Sequence, residues 1–198
     1  MSNIRSIPLI FIFLSLFLMI LSKAFCAESD WSIGVYGGKY FDTEPGAFAD
    51  SRTNYLNQFI IALTASRTVW RAEAYPLSLE IDGMIGHQFG LATLQEIAIV
   101  PVLRWSGFPW NKILQTSFRF GTFAPSYTTM ISPLERGPTN KGSQILNFLV
   151  IELGFSLPQM KSEEVFLRLH HRSALNDFLN DYGANGEDFT TLGYRQFF

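Results

Sequence analysis

The sequence predicts an all-β chain, an eight-stranded antiparallel transmembrane β-barrel, and three observations predict it. The chain opens with an export signal, eight later segments have membrane-crossing length and alternate apolar with polar residues, and the last segment ends on an aromatic residue, Phe198.

The N-terminus comes first. Arg5 supplies a short cationic start, residues 7–21 are apolar apart from Pro8 and Ser15, and small residues surround Cys26. This is the pattern of a cleaved secretory signal, and the apolar run is shorter than the ~20 residues of a spanning helix. The expected division is a signal peptide over 1–26 and one barrel domain over 27–198. Cys26 is the sole cysteine, so the mature chain has no disulfide framework, thiolate nucleophile or cysteine metal ligand. Loss of Arg5 and Lys23 takes the formal charge from −2 to −4. A mildly acidic chain of this kind is a poor nucleic-acid partner.

The eight segments are 31–40, 55–66, 77–89, 94–105, 114–123, 145–157, 163–173 and 188–198. Strands of soluble proteins average about 5–6 residues, whereas a tilted membrane strand needs about 9–11. Period two sorts their side chains onto two faces. Phe59, Ile61 and Leu63 share a face of the second. Leu77, Leu79 and Ile81 oppose Glu80 and Asp82 in the third, and Val165, Leu167 and Leu169 oppose Arg168 and His170 in the seventh. A membrane barrel turns the apolar set to lipid and packs the charged set inside. Glu80, Asp82, Glu96, Arg104, Arg119, Glu152, Arg168 and Arg195 are therefore expected in the lumen or at its ends. A soluble periplasmic sandwich would invert this arrangement.

The connections agree with that orientation. Those after odd strands, which face outside the cell in an even-stranded barrel, include the three longest. Pro76, Pro109 and Pro158 fall in the opposite turns, where a missing amide costs no ladder bond. Pro101 lies within the fourth segment and predicts a bulge there. Trp105, Phe108 and Trp110 suit an interfacial aromatic girdle. Gly34, Gly37 and Gly38 are read as room for barrel curvature, since no helix follows them to make a phosphate loop.

The candidate chemistry sits in the closing hairpin. His171 and Ser173 lie two apart on one strand, so both point to the face of Val165, Leu167 and Leu169, about 7 Å apart at Cβ. An imidazole there can take the proton of a serine nucleophile. The face is the lipid side, at the outer end of the strand, where an enzyme drawing its substrate sideways from the outer leaflet would need them. Glu187 opens the last strand across the hairpin and is the expected orienter of His171, with Asp188 and Asp181 as rivals. His170 is expected to hydrogen-bond in the lumen, and His87 to be interfacial or lumenal. Three histidines without paired spacing predict no metal site. Arg52, Arg136 and Lys141 are loop cations within reach of lipid phosphates, though solvated charge is the simpler account.

His171-Arg-Ser173 at the end of a penultimate strand, a polar loop, Glu187 and a last strand ending in Phe resemble the lipid A 3-O-deacylases, the PagL family. The resemblance covers about residues 166–198. It implies an eight-stranded outer-membrane barrel of a Gram-negative bacterium that hydrolyses the ester-linked 3-O-acyl chain of lipid A. Ser173 would be the nucleophile, His171 the base and Glu187 its orienter, without a cofactor. Ala174 follows the serine where the family has Asn, a natural oxyanion donor; Asn176 or amides of residues 180–186 would have to replace it. The expected partners are lipopolysaccharide, outer-membrane lipid and, at most, a second copy in a homodimer. The alternative is a non-enzymatic barrel, structural or adhesive, of the same fold.

Overall fold

The computed structural model describes residues 30–42, 53–136, 142–174 and 186–198. The expected signal peptide and parts of three loops lie outside them. Eight strands form: β1 (Trp31–Phe41), β2 (Tyr55–Arg71), β3 (Leu77–Gly90), β4 (Leu94–Trp105), β5 (Gln115–Thr128), β6 (Ile145–Ser156), β7 (Glu163–Ser173) and β8 (Glu187–Phe197). Each pairs antiparallel with its neighbour in sequence, and β1 closes on β8. Closure runs from Ser32 opposite Phe197 to Tyr40 opposite Phe189. Gly38 lets these strands meet: a Cβ there would stand 2.1 Å from the Thr190 carbonyl oxygen.

The two faces settle which way the barrel is turned. Leu63 is 64% exposed and Ile85 65%, while Arg119, Arg168 and Arg195 are fully buried. A soluble fold would pay heavily for both halves of that pattern; in a bilayer the apolar exterior is solvated by lipid and closure leaves no unpaired strand edge. The barrel therefore spans a membrane. All four tryptophans mark one boundary of the apolar band: Trp31, Trp70, Trp105 and Trp110 sit at the rim that carries both ends of the barrel, each partly exposed.

Inside, most strands read polar, apolar, polar. Near the terminal rim, Glu152 accepts hydrogen bonds from Arg119 (3.0 Å), Arg168 (2.7 Å) and Arg195 (2.8 Å). Asp82 takes Thr64, Ser66 and Arg119. Above this lies an apolar layer that includes Tyr36, Ile60, Met84, Val100 and Phe148. Towards the loop rim, Gln88, Glu96, His170, Arg172 and Glu187 make a second polar layer. All eight lumen residues expected from the sequence are in this interior, Arg104 at its edge. Buried charges of this kind are costly to separate. Glu152→Gln is accordingly expected to lower stability by about 3–5 kcal/mol, read as a lower urea midpoint for folding in lipid vesicles.

Two strands outrun their expected ends. β2 continues to Arg71, five residues past Ser66. β5 continues through Pro125 to Thr128, five residues past Phe123. The second difference has a clear cause. A register shift between Gly121 and Ala124, with Phe123 at φ 58°, reverses which residues face inward. Before it Arg119 and Gly121 point in; after it Ala124, Ser126 and Thr128 do. Alternation breaks there, which ends the expected segment at Phe123. The bulge expected at Pro101 is not present: β4 alternates without a break and its register with β3 runs through Pro101, and the shift in the β4–β5 ladder between Ala98 and Val102 puts the extra residue in β5.

Candidate active site

The hairpin of β7 and β8 places its functional groups by parity. In β7, Val165, Leu167, Leu169, His171 and Ser173 face outward, and Phe166, Arg168, His170 and Arg172 face the lumen. In β8, Leu192 and Tyr194 face outward while Thr191, Gly193 and Arg195 face in. His171 is the cross-strand partner of Asp188, and Arg172 that of Glu187. The two pairs occupy opposite faces of adjacent rungs.

On the outer face, His171 Nδ1 lies 2.6 Å from Asp188 Oδ1. The contact is shielded, with the side chains 12% and 8% exposed. The carboxylate fixes the tautomer in which Nδ1–H donates, and so leaves Nε2 as the proton acceptor. Nε2 has no hydrogen bond among the described residues. Ser173 is half-buried on the same face, two residues along, and is not hydrogen-bonded to the imidazole in this structure. The arrangement resembles a base with its orienter in place and a hydroxyl beside it, able to pair once substrate draws the groups together.

Glu187 does not stand beside His171. Its side chain is fully buried in the lumen, where it accepts hydrogen bonds from Ser132 and from Gln88 (3.2 Å) and lies 3.7 Å from Arg172. The physical reason is the pleat: Glu187 shares the parity of Arg195, and its neighbour Asp188 that of Leu192. Counting back from Arg195 along the strand would have shown this. Asp181, the other rival, lies outside the described residues.

Glu187 instead belongs to a plug. The β5–β6 connection turns inward, burying Ser132 and Glu135, and Glu135 accepts a hydrogen bond from Arg172. Burial pushes the Glu135 carboxyl up to about 9, against the pull of Arg172 and with the Glu187 and Glu96 carboxylates adding to the rise. The network ties the lumen side of the Arg172–Glu187 rung, next to the rung that carries His171 and Asp188 on the outer face.

Gly186 packs against the site. A Cβ there would come within 3.0 Å of His171 Cε1 and 2.8 Å of the Arg172 carbonyl oxygen. Gly186→Val is therefore expected to displace the imidazole and remove the low-field Nδ1 proton signal of His171 in micelle NMR, while the spectrum of the rest of the barrel persists.

The remaining candidates take other roles. His170 is lumenal, 3.1 Å from the Tyr36 hydroxyl and 3.2 Å from Glu96. His87 is on the outer face, 2.7 Å from Gln95 and stacked on Phe89. Ala174 is buried, and Asn176 and residues 180–185 lie outside the described residues. Below the site, an open apolar groove of about 600 Å³ runs over Gly37, between Phe59, Ile61, Phe89, Leu192 and Tyr194. Gly37 is opposite Leu192, four residues along β8 from Asp188, which is about 13 Å at strand rise.

No protein-family model matches the chain, and no curated protein matches it in sequence. Solved structures match its fold. The chain is similar to the outer membrane enzyme PagL, with a TM-score of 0.56 and 16% identity over 83% of this chain and 98% of that one. It is also similar to Neisserial surface protein A (NspA), with a TM-score of 0.51 and 10% identity over 86% of this chain and 98% of the other. The chain thus has the closed eight-stranded fold of outer-membrane barrels, shared by an enzyme and a surface protein.

Proposed function

We propose that this barrel is an outer-membrane serine esterase that removes the 3-O-acyl chain of lipid A. The observation that carries the proposal is the shielded His171–Asp188 pair on the lipid-facing side, one strand pitch from Ser173. A histidine and a carboxylate spent on the outside of a barrel have no core to hold together. Their position suits a substrate that arrives through the bilayer. The resemblance of residues 166–198 to the lipid A deacylases supports the same choice, with Asp188 in place of Glu187 as the orienting acid.

His171 Nε2 takes the Ser173 proton as Oγ attacks the ester carbonyl carbon. Asp188 stabilises the imidazolium that forms. The sugar alkoxide leaves, taking the proton back from His171, and the acyl group remains on Ser173. Water then attacks the acyl-enzyme, giving its proton to His171; the bond from Ser173 Oγ to the acyl carbon breaks as Oγ takes that proton back, and a free hydroxy fatty acid departs. The groove over Gly37 offers apolar cover to a chain whose ester sits at the rim.

A fluorophosphonate ester tests the nucleophile without assuming the substrate. Wild-type protein in micelles is expected to become labelled on Ser173, as found by peptide mass mapping, and His171→Asn to lose the label. A folded barrel that stays unlabelled on Ser173 would indicate the non-enzymatic alternative.

A further inference from the structure

The outer face just below the rim carries a cation that the hydrolytic chemistry does not use. Lys39 points outward from β1, half-buried, with its ammonium 5.5 Å from the centre of the Phe59 ring. It has no ion pair among the described residues. Trp31 starts the same strand at the opposite boundary, eight residues earlier. At about 3.3 Å per residue and a tilt of about 40°, Lys39 stands some 20 Å across the membrane from it, near the upper edge of an apolar band about 25 Å tall. A lysine at that depth faces lipid headgroups.

Its neighbours give the position a shape. Lys39 is opposite Thr190 on β8 and opposite Phe59 on β2, and Phe59 is opposite Phe89 on β3. Phe59 and Phe89 stack at 5.6 Å and form the upper wall of the apolar groove over Gly37. Lys39 therefore stands at the head of that groove. Thr190 Oγ1 is buried and has no hydrogen-bond partner among the described residues. An unmet hydroxyl next to an unpaired ammonium, both above apolar walls, is costly unless something supplies an acceptor. Asp188, diagonal to Lys39 on the same face, is already engaged by His171.

We propose that Lys39 and Thr190 form the headgroup end of a site for a phosphate-bearing lipid. The Lys39 ammonium pairs with the phosphate, Thr190 supplies a second donor, and an acyl chain lies below against Phe59, Ile61 and Leu192. The inference rests on the view that this face meets outer-leaflet lipid, but it concerns binding and not ester cleavage. The phosphate could belong to lipid A or to a glycerophospholipid.

Native mass spectrometry in neutral detergent separates these cases. The probes are bisphosphorylated lipid A, the same lipid after phosphatase treatment, and phosphatidylglycerol. Lys39→Gln is expected to weaken binding of phosphorylated lipid about fivefold, the usual effect of one cation at a charged membrane surface. Lys39→Arg should retain binding, and the dephosphorylated lipid should bind wild type and Lys39→Gln alike. Loss for lipid A alone assigns the phosphate to lipid A, and loss for phosphatidylglycerol as well assigns a general phospholipid phosphate; either supports the site. Unchanged binding of both phosphorylated lipids by folded Lys39→Gln would overturn it and leave Lys39 as a lysine that merely reaches for the interface. Lys39-dependent binding without hydrolysis would keep this site and remove the esterase, whereas hydrolysis with KM unaltered in Lys39→Gln would remove this site alone.

Discussion

Asp188→Asn is expected to cut turnover of lipid A about 10⁴-fold, whereas Glu187→Gln leaves it within about threefold. An amide at the orienting position can turn its NH2 to donate to Nδ1, which favours the wrong imidazole tautomer, and it carries no charge to stabilise the imidazolium; that exchange in a Ser-His-Asp site costs about 10⁴ in kcat. Asp188 contacts His171 at 2.6 Å on the face where substrate would arrive. Glu187 points the other way, into hydrogen bonds with Ser132 and Gln88. Its neutral replacement keeps the shape and disturbs only the lumen plug, so its effect belongs to stability, on the order of 1–3 kcal/mol for a buried polar group losing part of its pairing. Rates of hydroxy fatty acid release from purified lipid A, measured for both variants in parallel, check the contrast. The reverse order of effects would return the orienting role to Glu187.

Ser173→Ala is expected to lower fatty acid release to the background of empty micelles. The loss should reach about 10⁶-fold if the attack is the sole covalent step, as in other serine hydrolases. His171→Asn should fall as far, and the double variant no further, because nucleophile and base act as one unit. Ser173 is the last residue of β7 and half-exposed, and its hydroxyl holds no partner among the described residues. The substitution should therefore leave heat-modifiable migration of the barrel intact, which separates a chemical from a folding defect.

The fold was legible because alternation and strand length both register on the primary sequence. Leu77, Leu79 and Ile81 against Glu80 and Asp82 already divide lipid face from lumen, and the eight segments map onto the eight strands. Where alternation breaks, legibility breaks with it. The shift between Gly121 and Ala124 hid the second half of β5, because one extra residue exchanges the faces. His171 and Ser173 were found by the same period-two rule. Glu187 was misplaced by setting that rule aside and judging its closeness to the hairpin by chain position. Applied to β8, it selects Asp188. The plug was not legible at all. Ser132 and Glu135 sit in a connection with no periodicity, and only the closed barrel reveals that Arg172 and Glu187 await them. The groove over Gly37 and its cationic head at Lys39 likewise join residues of β1, β2, β3 and β8, contacts that no local pattern encodes.

The most direct test is mass spectrometry of lipid A from cells making the inserted wild-type barrel. Loss of one hydroxyacyl chain, present with wild type and absent with Ser173→Ala and Asp188→Asn, is the predicted result. Unchanged lipid A in the presence of correctly inserted wild-type protein would contradict the esterase account.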